Sequence, residues 1–163
     1  MIVLGVDPGS RFTGYGVVKS TGNHLKYIAS GVIKSDPKND FPIRLKTIYD
    51  GLTEVIKEFS PDECSLENIF YCKNVSSALK LGHTRGAIMV AAANGGVAIH
   101  EYSPTQIKQA VTGHGHAAKE QVHAMVSMIL NIKGLIKQLD ISDALAAAIC
   151  HINSSNFKRA LKK

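Results

Sequence analysis

The sequence predicts an α/β domain: a five-stranded mixed sheet, three antiparallel strands plus two parallel, with helices on both faces. Three observations predict it. A chain of 163 residues, 45% hydrophobic and 20% charged, is a usual size for one domain and can bury roughly 70% of its extended surface. Its first part carries three β-type runs separated by turn residues. From Ile43 onward, blocks with apolar residues three and four apart alternate with short β-type runs, the pattern of crossover units.

Ile2 to Val6 is a short apolar run that ends on Asp7 and is cut by Pro8-Gly9, so it reads as a buried strand entering a turn. Gly9, Gly14 and Gly16 are expected to let the chain turn tightly and resume as a second strand, Tyr15 to Lys19. A third strand, Tyr27 to Ile33, follows the turn at Thr21-Gly22-Asn23 and completes an antiparallel meander. Lys34 to Pro42 reads as a loop. Leu45, Ile48, Leu52, Val55, Ile56 and Phe59 then form one face of a helix over Ile43 to Phe59, stopped by Pro61.

Glu63 to Glu67 is a fourth strand, again closed by a carboxylate. Asn74 to Asn94 is a second helix, ended by Gly95-Gly96. Its small residues Ala78, Gly82 and Gly86 repeat every four positions, which permits a close backbone approach or simple packing on the sheet. Val97 to Tyr102 is a fifth strand. Ser103-Pro104 starts a short helix at Ile107 to Val111, with Ser as cap and Pro where no amide is needed. Thr112 to Ala118 is a loop. Lys119 to Leu130 is a helix with Val122, Met125, Val126 and Ile129 on one side, and Asn131 to Leu139 is irregular. Asp140 to Ile152 is the last helix, buried through Ala144, Leu145, Ala148, Ile149 and Ile152. Asn153 to Lys163, with four Lys or Arg residues and no extended apolar pattern, is expected to fray as a basic tail, and the division is a single domain over residues 1–156 with a basic tail over 157–163.

A formal charge of +6 favours an anionic partner such as nucleic acid or an acidic surface. No apolar run is long enough for a spanning helix and no signal peptide precedes the first strand, so a cytoplasmic protein is expected. The three cysteines, Cys64, Cys72 and Cys150, have no CxxC spacing, so neither a disulfide framework nor a zinc cluster is expected; Cys64 and Cys150 fall in apolar patterns as core thiols. The seven histidines are scattered, none in an HExxH pair.

Asp7 and Glu67 each close a strand, and Asp140 and Asp143 sit three apart at the start of the last helix, on one face. Asp7 and the last pair also have ordinary readings: Asp7 capping its own turn, Asp140 or Ser142 capping the helix with Asp143 in its first turn. If the first and fourth strands are adjacent and parallel, Asp7 and Glu67 emerge at one edge, and the last helix can add its pair. Four gathered carboxylates repel one another and need cations to stay ionised. Oxygen ligands without Cys or a His cluster suit Mg2+ or Mn2+, and a pair of such ions can hydrolyse a phosphodiester.

Four stretches carry a resemblance: GVDPGSRFTGYGVV at Gly5 to Val18, LENIFYCKNVSSALKLGHTRG at Leu66 to Gly86, YSPTQIKQAVTGHGHAAKEQV at Tyr102 to Val122, and DISDALAAAICH at Asp140 to His151. Spread in order over nearly the whole chain, they closely resemble the RuvC family of bacterial Holliday-junction resolvases, within the ribonuclease H-like superfamily. The resemblance implies metal-binding catalytic acids at Asp7, Glu67, Asp140 and Asp143, with two Mg2+ ions per subunit and Mn2+ able to substitute. It implies a homodimer whose subunits nick opposed strands of a four-way junction, in recombination and DNA repair. The partners it implies are a branch-migration complex of a junction-binding protein and a ring ATPase. It also turns the Ala78, Gly82, Gly86 row toward a dimer contact. The sequence departs from the family in two places: GLIKQLD before Asp140 lacks a Pro often found there, and the loop after Thr112 carries His114 and His116.

Lys108 and Lys119 match motif lysines of the family near the active site and are candidate phosphate contacts, against the plainer reading of solvated helix lysines. Lys73, Lys80 and Arg85 are further DNA-binding candidates, as is Arg11. Phe70 matches a family aromatic able to stack on an unpaired base, against the reading of a core aromatic. His83 is more simply a packed or surface residue than a DNA or proton-transfer group. The rival functions are a hybrid or ribosomal-RNA nuclease of the same superfamily, a non-catalytic DNA-binding relative, and a phosphotransferase fold, which needs a duplicated and longer chain.

Overall fold

In the computed structural model, which describes residues 1–68, 74–132 and 139–161 without the side chains of 158 and 159, alternation along the strands divides the core in two. The strands are β1 (Ile2–Asp7), β2 (Phe12–Thr21), β3 (His24–Lys34), β4 (Glu63–Glu67) and β5 (Ala98–Tyr102). The helices are α1 (Phe41–Phe59), α2 (Val75–Asn94), α3 (Pro104–Thr112), α4 (Lys119–Ile129) and α5 (Leu139–Ala160). The sheet order is β3-β2-β1-β4-β5. β1, β2 and β3 pair antiparallel, while β4 and β5 run parallel to β1. This is the expected mixed sheet. Leu4, Val6, Val17, Cys64 and Leu66 face Ile48, Leu52, Ile56, Ile88 and Ala92 of α1 and α2. On the opposite face, Val3 and Val18 pack with Ile107, Val122, Leu145 and Ile149 of α3, α4 and α5.

Several expectations need correction. Gly14 and Gly16 do not turn the chain; they lie inside β2, which begins at Phe12. Together with Gly5 they form the floor beneath α5. A Cβ on Gly5 would stand 1.9 Å from the Ala144 carbonyl, one on Gly14 2.2 Å from the Asp140 carbonyl, and one on Gly16 2.5 Å from Leu145 Cδ2. Gly5 pairs with Gly16, and Asp7 with Gly14, so the bare patch crosses neighbouring strands. The last helix does not fray after Ile152 but continues to Ala160. Polar residues hold that extension: Ser154 Oγ donates to the Cys150 carbonyl at 2.9 Å and Asn153 Nδ2 to the Ala110 carbonyl at 3.2 Å. Asp140 lies within the first turn of α5.

Other signals act as expected. Ser103 Oγ accepts from the Gln106 amide while Gln106 Oε1 accepts from the Ser103 amide, a reciprocal cap with Pro104 in the first turn. Ser60, in the left-handed region, ends α1 just before Pro61. Cys64 and Cys150 are buried thiols, pushed up to about 12 and about 11 by burial. Cys72 lies outside the described residues. Among the described residues, no helix is long and apolar enough to cross a membrane.

Candidate active site

Strand parity decides which face each acid reaches. In β1, Val3, Gly5 and Asp7 share the α5 face; in β4, Glu63, Ser65 and Glu67 do. β1 and β4 are parallel neighbours with Val6 opposite Leu66, so Asp7 and Glu67 leave the sheet side by side at the ends of their strands. α5 runs antiparallel to both. Its Ala147 carbonyl accepts from Ser65 Oγ at 2.7 Å, which places Asp143, one turn earlier, over the Glu67 end. The glycine floor allows this depth.

Asp7, Glu67 and Asp143 line one cleft of about 210 Å³ with Lys108, Lys119, Pro104, Ile107 and Val122. Asp140 is not on that lining, but its carboxylate is close enough to act on Asp7. Asp7 is pushed up to about 7, by burial first and then by Asp143, Glu67 and Asp140, with Lys119 opposing. Glu67 is raised by burial and by Asp143, against the pull of Lys119, Lys108 and Arg85. Lys119 Nζ donates to Asp143 Oδ2 at 3.1 Å, and this bond holds its ammonium above the usual lysine range.

The chemistry of this set fits divalent cations. Among the described residues the donors are carboxylate oxygens, with no thiol or imidazole on the cleft lining. Two lysines do not offset the acids, since Asp7 remains raised despite Lys119. More positive charge is what the cluster needs in order to ionise fully.

The basic candidates separate. Lys108 and Lys119 are on the cleft wall. Lys80 is exposed on α2. Arg85 is engaged within the chain: its largely buried guanidinium donates to Glu101 Oε1 and to the Glu67 backbone carbonyl. Glu101, on the opposite sheet face from Glu67, was not legible as its partner until β4 and β5 were aligned. Phe70 and Lys73 lie outside the described residues, as does most of GLIKQLD. His83 is exposed and its ring meets Phe41 at 5.9 Å; His114 and His116 are exposed in the α3–α4 loop. The Ala78, Gly82, Gly86 row is not packed on the sheet, for α2 buries Thr84, Ile88, Ala91 and Ala92 instead.

One grouping was missed. The histidines read as scattered, yet Glu63, His100 and His151 bring their ligand atoms within 4.8 Å of one another, a group able to take a divalent ion. It sits at the other end of β4 from Glu67. A β5 histidine two residues from Tyr102, sharing its face, was the available signal.

The sequence and the fold are similar to those of known proteins. The family model for crossover junction endodeoxyribonuclease RuvC matches residues 3–151. The chain is 50% identical to the RuvC of Geobacter metallireducens, over 99% of this chain and 98% of the relative. It is 52% identical to that of Pelobacter propionicus, over 98% and 90%. Among solved structures, Thermus thermophilus RuvC in complex with a Holliday junction substrate superposes with a TM-score of 0.93 at 36% identity, covering 97% of this chain and 96% of that one. The yeast mitochondrial Holliday junction resolvase Ydc2, at 13% identity, shares the fold with a TM-score of 0.70 over 96% of this chain and 80% of its own. With its ribonuclease H-like sheet and a near full-length match, the chain belongs to the RuvC family of crossover junction endodeoxyribonucleases.

Proposed function

We propose that this chain is a homodimeric, structure-selective endodeoxyribonuclease that resolves four-way DNA junctions by paired symmetric nicks, in the cytoplasm, during recombination and repair. The observation that carries the reading is the convergence of Asp7, Glu67 and Asp143 on one cleft walled by Lys108 and Lys119. Asp7, Glu67, Asp140 and Asp143 would hold two Mg2+ ions, or Mn2+ in their place. Bound there, the cations would supply an activated water and neutralise charge on the phosphate.

The chain's own residues prepare that chemistry. Asp7 and Glu67 are held on adjacent parallel strands, so their separation is set by backbone pairing rather than by loop geometry. Pro104, Ile107 and Val122 make part of the cleft wall apolar, which strengthens every charge interaction inside it. Lys119 now pairs with Asp143. Its exchange onto a phosphate oxygen would give the substrate a cation at the moment it enters. Arg85 braces the end of β4 from behind and keeps Glu67 in place.

A homodimer is supported by α2, which presents Val75, Leu79 and Val90 to solvent at 76%, 59% and 53% exposure, with open space beside Gly82 and Gly86. A small-residue row flanked by unpartnered apolar side chains suits a helix of a second copy. Phe70, Lys73 and Lys80 are proposed DNA contacts, Lys80 on the helix of this seam, with residues 1–156 the nuclease domain and a junction-binding protein with a ring ATPase the partners. The test is nicking of a synthetic four-way junction, against plain duplex and RNA–DNA hybrid, with products mapped on each strand. Mg2+-dependent symmetric cuts on the junction are expected; preference for hybrid would replace this reading with the rival nuclease.

A further inference from the structure

α5 and β4 share more than one contact. Four helical residues advance about 6 Å and two strand residues about 6.6 Å, so the two elements stay in step. Asp143, Ala147 and His151 of α5 therefore follow Glu67, Ser65 and Glu63 of β4 in reverse order, with the Ser65 to Ala147 hydrogen bond fixing the middle. One end of this groove is the acid cleft. At the other end, His151 is hydrogen-bonded to Glu63, and His100 Nε2 of β5 lies 4.0 Å from Glu63 Oε2. The two imidazoles stack with their centroids 4.4 Å apart.

We infer that Glu63, His100 and His151 form a second metal site, specific for a borderline transition-metal ion of the Zn2+ class and separate from the oxygen-ligand cleft. Two imidazoles and one carboxylate are a common zinc donor set, leaving a fourth position for water. Tetrahedral ligands about 2.0–2.1 Å from zinc stand about 3.3 Å apart. The three ligand atoms here lie within 4.8 Å of one another, so the set must close by at most about 1.5 Å to reach that spacing. An entering ion parts Glu63 from His151 and draws His100 inward. The supporting partner is already in place: Tyr102 Oη lies 2.7 Å from His151 Nδ1. In the metal-free chain Nε2–H donates to Glu63 and Nδ1 accepts from the phenol; when an ion displaces Glu63, the ring shifts to its Nδ1–H tautomer, which the phenol oxygen accepts from, and the Nε2 lone pair meets the ion. The side chains of Glu63 and His100 are 29% and 41% exposed, which leaves an entry path, while His151 is buried beneath them. Mg2+ is a poor competitor, because it favours oxygen ligands and retains water. The bound ion ties β4, β5 and α5 together at the end of the sheet remote from the acids.

The test is titration of the metal-free full-length chain with Zn2+ by calorimetry, alongside Co2+ uptake read by visible absorption. Wild type is expected to bind one ion per chain, to show the intense bands of four-coordinate Co2+, and to melt about 5 °C higher at a hundredfold excess over Kd. His100→Ala and Glu63→Gln should each weaken uptake at least tenfold, and Asp7→Asn should leave it unchanged. Circular dichroism in chelator checks that both variants remain folded; His100→Ala, at a partly exposed position, is the arm that decides if Glu63→Gln does not fold. Uptake unaltered by His100→Ala, uptake lost with Asp7→Asn, or no Zn2+ binding by wild type would each overturn the site. Mg2+-dependent nicking is unaffected by any of these results, so failure here is distinguishable from failure of the nuclease reading.

Discussion

Asp7 is acted on by three other carboxylates, and the effect can be given a sign. Its carboxyl titrates near 7 in the folded chain against an ordinary value of 3.8. Between those values the folded state binds the extra proton, so metal-free stability falls as pH rises through this window, by at most about 4 kcal/mol. The metal-free melting temperature should therefore drop from pH 4 to pH 7.5 and then level off. Asp7→Asn should flatten that slope and raise the melting temperature at pH 7.5, while nicking falls at least about a hundredfold and junction binding persists. Equal loss of binding and cutting would move Asp7 from chemistry to folding. Lys119 opposes the rise at both Asp7 and Glu67. Lys119→Ala should thus shift the rising limb of the pH–rate profile to higher pH as well as lower the rate; a profile that merely scales down would deny it this electrostatic role. The strand-end positions of Asp7 and Glu67 were readable from sequence, because a carboxylate closing an apolar run is unusual. The Arg85–Glu101 pair was not, since it depends on which residues of β4 and β5 share a register.

α5 is the element on which the site depends, and the three glycines beneath it set its depth. Glycine in a strand reads equally as a turn signal or as room for a neighbour, and only the packed helix separates the two. Gly5→Ala would drive a methyl into the Ala144 carbonyl and the Ala148 amide, both backbone, so α5 must lift. The expected cost is about 1–3 kcal/mol or more, with a disproportionate loss of cleavage because Asp140 and Asp143 move with the helix. A variant that loses stability but keeps the wild-type nicking rate would uncouple helix depth from the site. The C-terminal half of α5 shows a further limit of periodicity. Asn153, Ser154 and Asn156 carry no apolar stripe, but their bonds to Ala110, Cys150 and Gly22 continue the helix where the pattern stops.

For the molecule as a whole, the strand order brings remote segments together: β1 and β4 are neighbours although α1 and two strands separate them in the chain. Alternating apolar residues and turn chemistry made this arrangement legible, because a meander followed by crossover units has few sheet orders open to it. Quaternary structure was less legible, since a small-residue row serves a helix partner and a sheet alike. If α2 is the seam of the proposed homodimer, Leu79→Asp should shift the chain toward monomer in sedimentation while leaving the monomer folded; an unchanged mass would remove α2 from the proposed seam. With a charge of +6, junction affinity should also fall steeply with added salt.

The most direct test of the central claim is a crystal structure of the chain soaked in Mn2+, with the ions located by anomalous scattering. Manganese within ligand distance of Asp7, Glu67 and the Asp140–Asp143 pair, lost in Asp7→Asn crystals, is the predicted result. A cleft without manganese at millimolar concentration, with the ion bound elsewhere or nowhere while the same protein cuts junctions, would contradict it.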